Sequence, residues 1–430
     1  MAEIRPLRGV RFDQRLAGPL GPLLAPPYDV ASAPATTPRY AISEIENADL
    51  SAPRDPHAVA AERYRAWRRR GILARDDEPA IYVHLHRFLV DGAPRLRTAF
   101  IARVRLAEWQ ERIVLPHERT TPGPRQERLE RLRAVNANLS PLYFLYRDAE
   151  GEIAALLAEY APDEARGEPP VGARHAEPSP LLHERDRMGG AHHLQTIRDP
   201  EFHARLSNLF RNRQLFVADG HHRYEAALTY RNERRRGGPD PEASSEFVLA
   251  LLAAVDDPGV VVRPTHRLVT RLPDGLAADL PRRLRQWFDL APAGDAMQPD
   301  GSAPLFRLTV SGQSVLWDAS PRPDQAHRAL LDPNRGPAWQ SLGVSAVGGV
   351  LDNVLGLHEK PADLGVTFTI EEAEARDRVD RGAAQAAFLL PTPDLDRILA
   401  VAEEGDLLPP KSTWFEPKAP AGLVINDLTP

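Results

Sequence analysis

The chain has 430 residues, of which 42% are hydrophobic and 27% are charged, and it carries a net charge of −6. These values are typical of a globular protein with about two or three domains, and they argue against a sequence-independent nucleic-acid binder, which needs clustered Lys and Arg. The absence of cysteine excludes disulfides, zinc–thiolate sites, iron–sulfur clusters and thiol nucleophiles, and the absence of a run of about 18 apolar residues argues against a membrane span.

The first half of the chain is predicted to contain both helices and strands. Residues 56–72 fit a helix that stops at a glycine. Two β-rich runs, at residues 80–88 and 96–106, flank Asp91-Gly92, which is a strong hairpin signal. Residues 162–180 are rich in Pro, Gly and Glu and are predicted to form a loop. The other predicted elements are a helix at about 124–136, a strand at 142–147, a short helix within 152–161, a strand at 191–197 and an amphipathic helix within 199–212. Residues 247–256 fit a buried strand or a buried helix, and the surrounding elements favour the strand.

The second half of the chain is predicted to have the same mixed character. Its elements are a helix at 279–288, a hairpin around Ser311-Gly312, a helix at 370–381, a strand at 384–390 and a helix that ends at Gly405. Thr369, with Glu372 three residues later, is predicted to open the 370–381 helix as a capping box. We therefore predict an α+β fold with mixed sheets, divided into residues 1–255 and 256–430. The charged N-terminus lacks the apolar stretch of a secretory signal, so we expect a cytoplasmic protein.

The stretch LFVADGHHRYEAALTYRNERRR, residues 215–236, crowds polar residues where a predicted strand becomes a helix. The start of a helix carries a partial positive charge and backbone N–H donors, so it attracts anions. Gly220 lets the backbone approach a ligand closely. His221 and His222 add donors, and Arg223 can hold phosphate oxygens with two hydrogen bonds. These features predict a phosphate-binding pocket.

Asp219, at the end of the same strand, needs a different role because a bare phosphate would repel its carboxylate. It either coordinates Mg²⁺ beside phosphate oxygens or orients one of the histidines. A simpler interpretation is that Asp219 caps the helix while the histidines pack or face solvent. The crowding of four polar groups at one junction favours the pocket.

The segment LPHERTTPGP contains a second set of candidate residues. His117, Glu118 and Thr120 lie there in a predicted loop. A loop with acid, base and hydroxyl groups can supply a general base, although a solvated loop is the simpler interpretation.

Lysine is rare in this chain and occurs only at Lys360, Lys411 and Lys418. A lysine in so arginine-rich a sequence is a candidate for a specific role. Lys411, in PPKSTWFEPK, is followed by two hydroxyl residues and a tryptophan. This combination suits a phosphate contact with the aromatic ring stacked on a base, and the simpler alternative is a structural loop.

Several well-known motifs are absent from the sequence. It contains no G-x-x-x-x-G-K-[ST] phosphate loop, no G-x-G-x-x-G after a strand and no H-E-x-x-H. His192 and His193 lie in a predicted strand, so their side chains point to opposite faces and at most one of them reaches a given site. A metal site made only of histidines and carboxylates stays open, although no spacing supports it.

Seven sequence motifs carry a family resemblance. In chain order they are IRPLRGVRFD, APPYDV, VLPHERTTPGP, NANLSPLYFLY, FVADGHHRYEAAL, QAAFLLPTP and PPKSTWFEPK. Together, from about residue 4 to residue 427, they resemble the bacterial and archaeal family known as domain of unknown function 1015. The name of that family records no activity, so this resemblance leaves the function open.

The turn from Asp219 to Arg223 carries a second resemblance. It is similar to the D-G-H-x-R turn of the ParB-like free serine kinases and, more loosely, to the phosphate-binding turns of sulfiredoxin and ParB. The resemblance implies a ParB/sulfiredoxin-like α+β core in which the turn opens a helix and binds nucleotide phosphates. Sulfiredoxin chemistry needs a cysteine where this chain has His221, and the acidic net charge argues against a DNA clamp such as ParB. A small-molecule kinase remains.

We therefore predict a nucleotide-dependent kinase that phosphorylates the hydroxyl of a small metabolite, with L-serine as the candidate acceptor and ATP or ADP with Mg²⁺ as the donor. Asp219 is predicted to bind the metal or to help activate the hydroxyl, and Glu118 is the predicted second catalytic carboxylate, with Glu44 or Glu46 as alternatives. The residues predicted to bind the nucleotide phosphates are Gly220, His221, His222, Arg223, His117, Thr120 and Lys411.

Two alternative functions stay open at this stage. One is a regulatory protein that senses a nucleotide or phosphate without chemistry. The other is a metal-dependent phosphohydrolase that uses His117, His221 and His222. The expected partners of the predicted kinase are a nucleotide and a small-molecule substrate, and neither nucleic acid nor a membrane is expected.

Overall fold

The computed structural model describes residues 1–26, 38–46, 54–160, 186, 189–238, 240–273, 275–294, 304–357 and 365–429. Their contacts divide the chain into two compact units. The first unit comprises Met1–Leu115, Thr120–Val261 and Pro417–Pro430, and the second comprises Pro116–Arg119 and Val262–Glu416. Each unit therefore combines segments that are distant in the sequence.

The first unit is built on an eight-stranded mixed sheet. Seven strands lie side by side in the order Val114–Leu115, Leu215–Asp219, Leu142–Tyr146, Phe247–Ala254, Ala93–Arg105, Ile81–Val90 and Ala191–Ile197, and Ile4–Arg5 pairs with Ala93–Arg105. Phe247–Ala254 is an almost continuous apolar run because it is buried in the middle of the sheet, antiparallel to one neighbour and parallel to the other. Asp91 and Gly92 have φ angles of 51° and 79°, as the type I′ turn of the predicted hairpin requires.

Helices and two small strand pairs complete the first unit. The helices are Gln14–Ala17, Ser43–Glu46, Pro56–Arg69, Pro122–Val135, Glu152–Ala158, Pro200–Phe210 and His221–Arg235. The strand pairs are Val10–Phe12 with Leu73–Arg75 and Ala137–Asn138 with Asn426–Asp427. Phe202, Leu206 and Phe210 form the buried stripe of Pro200–Phe210, as the apolar spacing predicts.

The second unit is built on a six-stranded antiparallel sheet. Its strands lie in the order Phe288–Pro292, Trp317–Pro321, Phe306–Val310, Ala386–Leu389, His266–Val269 and Val366–Thr369, and a separate pair joins Val261–Arg263 to Trp414–Glu416. The helices of this unit are Leu276–Leu284, Pro337–Gln340, Gly343–Gly349, Glu372–Asp380 and Leu395–Glu404. The predicted α+β class is confirmed, and the second sheet is purely antiparallel where mixed sheets were expected.

One predicted helix start is wrong. The helix Glu372–Asp380 has Glu371, not Thr369, as its N-cap residue. The Thr369 hydroxyl instead donates a 2.5 Å hydrogen bond to Glu374, and it accepts the N–H of Glu371 at 3.2 Å. The hydroxyl therefore reaches the helix from the end of the preceding strand. The predicted loop at residues 162–180 lies outside the described residues. Every helix that the structure describes is too short or too polar to cross a membrane.

We expect His266, in the second unit, to destabilise the protein in mild acid. Its Nδ1 accepts the N–H of Leu390 at 3.0 Å, and burial, with a contribution from the nearby Arg267, lowers its pKa to about 4. The unfolded state takes up this proton near pH ~6.5. The contribution of neutral His266 to the free energy of unfolding is therefore complete above pH ~6.5. It falls by about 3 kcal/mol as the pH decreases to about 4. Denaturant unfolding between pH 7 and 4 should show a shallower decline for His266→Asn than for the wild type. Equal declines would contradict this assignment.

Candidate functional site

The strand-to-helix junction that is predicted to bind phosphate lies where the strand Leu215–Asp219 meets the helix His221–Arg235. We call this junction, residues 219–223, the Asp219 corner. Gly220 joins the strand to the helix with a φ of 106°, in the left-handed region that favours glycine. A Cβ atom at this position would lie 2.5 Å from Leu142 Cδ2 and 3.0 Å from Arg223 Nη2. Glycine is therefore required both by the backbone and by the neighbouring side chains, and it lets the helix begin directly beside Asp219.

Asp219 holds two cations at this corner. Its Oδ1 lies 2.5 Å from Lys418 Nζ, and its Oδ2 accepts a hydrogen bond from Arg223 Nη2 at 2.8 Å. Burial by itself would raise the pKa of Asp219, but the charges of Lys418 and Arg223 outweigh it and hold this pKa well below its ordinary value. The three side chains together carry one net positive charge beside the positive end of a helix dipole, which is a suitable environment for an anion.

Arg223 extends this arrangement to a second carboxylate. Its Nη1 donates to Ser140 Oγ at 2.9 Å and to Pro141 O at 2.8 Å. Ser140 Oγ in turn donates to Glu46 Oε1 at 2.5 Å. The chain of contacts therefore runs from Lys418 through Asp219, Arg223 and Ser140 to Glu46, and all five residues belong to the first unit.

Glu46 is a buried carboxylate at the end of a short helix. Only 1% of the residue is exposed. Arg131, on the helix Pro122–Val135, donates to the carbonyl oxygens of Ile45 and Glu46, the former at 2.8 Å, and so fixes the end of the Ser43–Glu46 helix. The carboxylate is therefore held in place by its neighbours.

A small, partly open pocket of about 40 Å³ lies beside these contacts. On the same measure a water molecule needs about 10–15 Å³, so the pocket accommodates about three waters. It is lined by Glu46, Arg128, Arg131, Leu132, Ala137, Asn138, Leu139, Ser140, Leu142, Arg223, Ala226 and Val248. One glutamate and three arginines, Glu46, Arg128, Arg131 and Arg223, are thus among the residues that line one small volume.

The histidines of the corner have different environments. His221 is buried, with 8% of the residue exposed. His222 Nε2 accepts the N–H of Thr121 at 2.9 Å, so this nitrogen carries no proton. The preceding Thr120 donates its hydroxyl to Glu225 Oε2 at 2.7 Å. These two bonds connect the start of the helix Pro122–Val135 to the first turns of His221–Arg235.

Glu118, His117 and Lys411 lie in the second unit. The Glu118 carboxylate accepts the backbone N–H groups of Lys411 at 2.9 Å and Ser412 at 3.1 Å. Burial raises the pKa of Glu118, and these two backbone donors together with the Lys411 charge oppose the rise. His117 Nε2 lies 2.8 Å from Thr413 Oγ1. These contacts fix the loop at Lys411, whose φ of 61° is unusual for a residue other than glycine.

The chain matches the model of one known protein family. The model of the family described as "Protein of unknown function (DUF1015)" matches residues 4–345. The chain belongs to this family. No curated protein matches the chain. The family description gives no activity, so the function has to be argued from the site.

Three solved structures illustrate what the DUF1015 chain is similar to. A conserved hypothetical protein from Pyrococcus furiosus is 10% identical, with a TM-score of 0.36, and the match covers 74% of this chain and 94% of that one. A free serine kinase in complex with AMP is 11% identical, with a TM-score of 0.35 and coverages of 72% and 85%. SbnI with a C-terminal truncation, from Staphylococcus aureus, is 9% identical, with a TM-score of 0.37 and coverages of 76% and 87%.

The structure brings together the predicted residues from Asp219 to Arg223 and places Thr120 next to their helix. It adds Lys418 and Ser140, which the sequence interpretation did not assign. Ser140 carried no signal of its own. The scarcity of lysine was a signal that could have pointed to Lys418. It applies equally to Lys411, and only the fold shows that Lys418 is the lysine beside Asp219.

Proposed function

We propose that this DUF1015 chain binds the phosphates of a nucleotide at the Asp219 corner and transfers a phosphoryl group to the hydroxyl of a small metabolite. The single observation that carries the proposal is the pair of cations, Lys418 and Arg223, held by Asp219 at the start of a helix. L-serine is the first acceptor to test because of the resemblance of the Asp219–Arg223 turn to the turn of free serine kinases.

Lys418 and Arg223 have the charge that phosphoryl transfer requires. The transferred group carries negative charge on its oxygens, and catalysis consists mainly of positioning and electrostatic stabilisation. Asp219 orients both cations while leaving one net positive charge for the phosphate. The pocket beside these side chains is too small for a whole nucleotide. We therefore place only the reacting groups in the pocket, with the rest of the nucleotide outside it.

Glu46 is the carboxylate that we assign to the acceptor hydroxyl. It lines the pocket with Arg223 and is connected to it through Ser140. In the proposed step, the acceptor oxygen forms a bond to the terminal phosphorus, the bond between that phosphorus and the bridging oxygen breaks, and Glu46 takes the hydroxyl proton. The products are the phosphorylated metabolite and ADP from ATP, or AMP from ADP.

Mg²⁺ is expected with the nucleotide, but Asp219 does not suit it in this arrangement. Both Asp219 oxygens already face cations, Lys418 and Arg223, which would repel a metal ion. We therefore assign to Asp219 the role of positioning the two cations.

Binding without chemistry is the second candidate function. It is favoured by the hydrogen bonds of Arg223 to Ser140, Pro141 and Asp219. An arginine so fully engaged by the protein can stabilise the fold while the start of the helix binds an anion.

The deciding experiment is an acceptor-dependent assay on the full chain. ATP or ADP is supplied with Mg²⁺ and, one at a time, L-serine and other hydroxylated metabolites, and the nucleotide products are separated and quantified. We expect nucleotide conversion only with the correct acceptor. Lys418→Gln should reduce it at least about 100-fold, because a positioned charge at the phosphate is lost.

The matched control is Arg205→Gln, which removes a cation that pairs with Glu159 on an exposed part of the first unit. This variant should keep the wild-type rate. Nucleotide binding without conversion for any acceptor would favour the second candidate. Equal rates for Lys418→Gln and the wild type would contradict the proposed role of the corner.

A further inference from the structure

Three histidines lie on one buried face of the large sheet, far along it from the Asp219 corner. His84 and His86 are two residues apart on the strand Ile81–Val90, so they share a face. His192, on the neighbouring edge strand Ala191–Ile197, stands directly opposite His86. The residues His84, His86 and His192 are 0%, 2% and 1% exposed. The predicted alternation is confirmed here, because His193 points to the other face and is only half-buried.

Asp186 closes this group from the segment that precedes the edge strand. Its Oδ2 lies 2.9 Å from His192 Nε2 and 4.0 Å from His86 Nε2. Its Oδ1 accepts the N–H of Gly190 at 2.8 Å. His192 Nδ1 lies 3.0 Å from His84 Nε2 on the far side. One carboxylate and two imidazoles thus present ligand atoms that all lie within 4.8 Å of one another.

His86 Nε2 is the atom that hydrogen bonding leaves unexplained. It is buried and has no hydrogen-bond partner among the described residues. Buried polar nitrogens in proteins are almost always paired, because an unpaired one costs free energy. Gly190 leaves space in front of this atom, since a Cβ there would lie 2.4 Å from His86 Nε2 and 3.2 Å from Asp186 Oδ2.

We propose that His86, His192 and Asp186 bind a divalent transition-metal ion, with Zn²⁺ as the first candidate. In a tetrahedral zinc site the nitrogen and oxygen ligands lie about 2.0–2.2 Å from the metal and therefore about 3.4 Å from one another. The observed separations from Asp186 Oδ2, 2.9 Å and 4.0 Å, bracket this value. Two imidazoles and one carboxylate suit zinc, iron or nickel much better than Mg²⁺.

His84 and Arg97 lie beside the proposed ligands and have opposite effects on metal binding. With Nε2 of His192 on the metal, its Nδ1–H donates to His84 Nε2, which fixes the ring. Arg97 Nη2 lies 3.5 Å from His86 Nδ1, long for a hydrogen bond, and metal binding requires a proton on that nitrogen. Arg97 keeps its 2.6 Å bond to Pro417 O. Its positive charge lowers the metal affinity, so a negatively charged fourth ligand is expected.

The test is metal binding by the full chain after dialysis against a chelator. Zn²⁺, Co²⁺ or Mg²⁺ is added alone, and stoichiometry and affinity are measured by calorimetry, with visible absorption for Co²⁺. We expect one Zn²⁺ per chain, a visible Co²⁺ spectrum and no Mg²⁺ binding at the site. Asp186→Asn should lower the Zn²⁺ affinity at least about 100-fold, because loss of an outer partner alone costs 10–100-fold. Gly190→Ala should have a similar effect by filling the site while every ligand remains.

His193→Ala is the matched control, since it removes a histidine from the same strand on the opposite face, and it should bind Zn²⁺ like the wild type. The proposal is wrong if the wild type binds no stoichiometric Zn²⁺ or if both site variants retain its affinity. If Asp186→Asn does not fold, the affinity of Gly190→Ala decides alone. The proposed metal binding does not depend on the proposed kinase activity. Phosphotransfer retained in the site variants would therefore not contradict it.

Discussion

Asp219→Asn is expected to lower phosphotransfer by about 10²–10³-fold. The asparagine has nearly the same shape but no charge, so Lys418 and Arg223 lose the group that holds them and repel each other. We also expect the free energy of unfolding to fall by about 1–3 kcal/mol, because two partly buried cations lose their partner. Since the pKa of Asp219 is held below its ordinary value, the carboxylate's stabilising contribution is present at neutral pH and is lost only in strong acid.

Asp279→Asn provides the comparison for this variant. Asp279 also pairs with two arginines, Arg282 and Arg283, but on an exposed helix of the second unit. Its replacement should change neither the stability measurably nor the rate. Initial rates and denaturant unfolding curves measure both effects. A full rate in Asp219→Asn would remove the basis of the proposed function.

Glu46→Gln is expected to lower kcat by about 10²–10⁴-fold while the nucleotide affinity stays nearly unchanged. The amide oxygen of glutamine still accepts the Ser140 hydroxyl, so the contacts of Arg223 are preserved, but the side chain can no longer take a proton. Separate measurements of kcat and of the nucleotide Kd distinguish this effect from a structural one, which would weaken both.

Two other carboxylates make this second experiment decisive. Glu44 lies in the same short helix beside Arg63, and Glu118 accepts two backbone N–H groups in the other unit. If Glu118→Gln or Glu44→Gln abolished turnover while Glu46→Gln retained it, our assignment of the hydroxyl's partner would be wrong. Loss of turnover in Glu118→Gln would support the original expectation for Glu118, and loss in Glu44→Gln would support the alternative at Glu44.

Local patterns were sufficient to predict most of the described helices, but fewer than half of the described strands. The Asp91-Gly92 turn, the apolar run of Phe247–Ala254 and the helix end at Gly405 each follow from local backbone preferences. The strand-to-helix corner at Gly220 was predictable for the same reason. The start of the helix Glu372–Asp380 was not, because the Thr369 hydroxyl had several neighbouring partners within reach.

Contacts between distant parts of the sequence could not be predicted. Asp219 and Lys418 are 199 residues apart, and no local pattern specifies that the chain returns there. The same applies to His86 and His192, since the alternation of a strand shows which face a residue occupies but not which residue stands opposite. The sequence therefore indicated candidate residues, while only the fold showed which of them meet.

The final segment, which begins at Pro417, supplies Lys418 to the corner and the strand Asn426–Asp427 to the first unit. A ribosome therefore finishes the whole second unit before the first one has all its parts. Until then the strand Ala137–Asn138 lacks its partner, and a chain that stopped before Pro417 would be made without its anion-holding lysine.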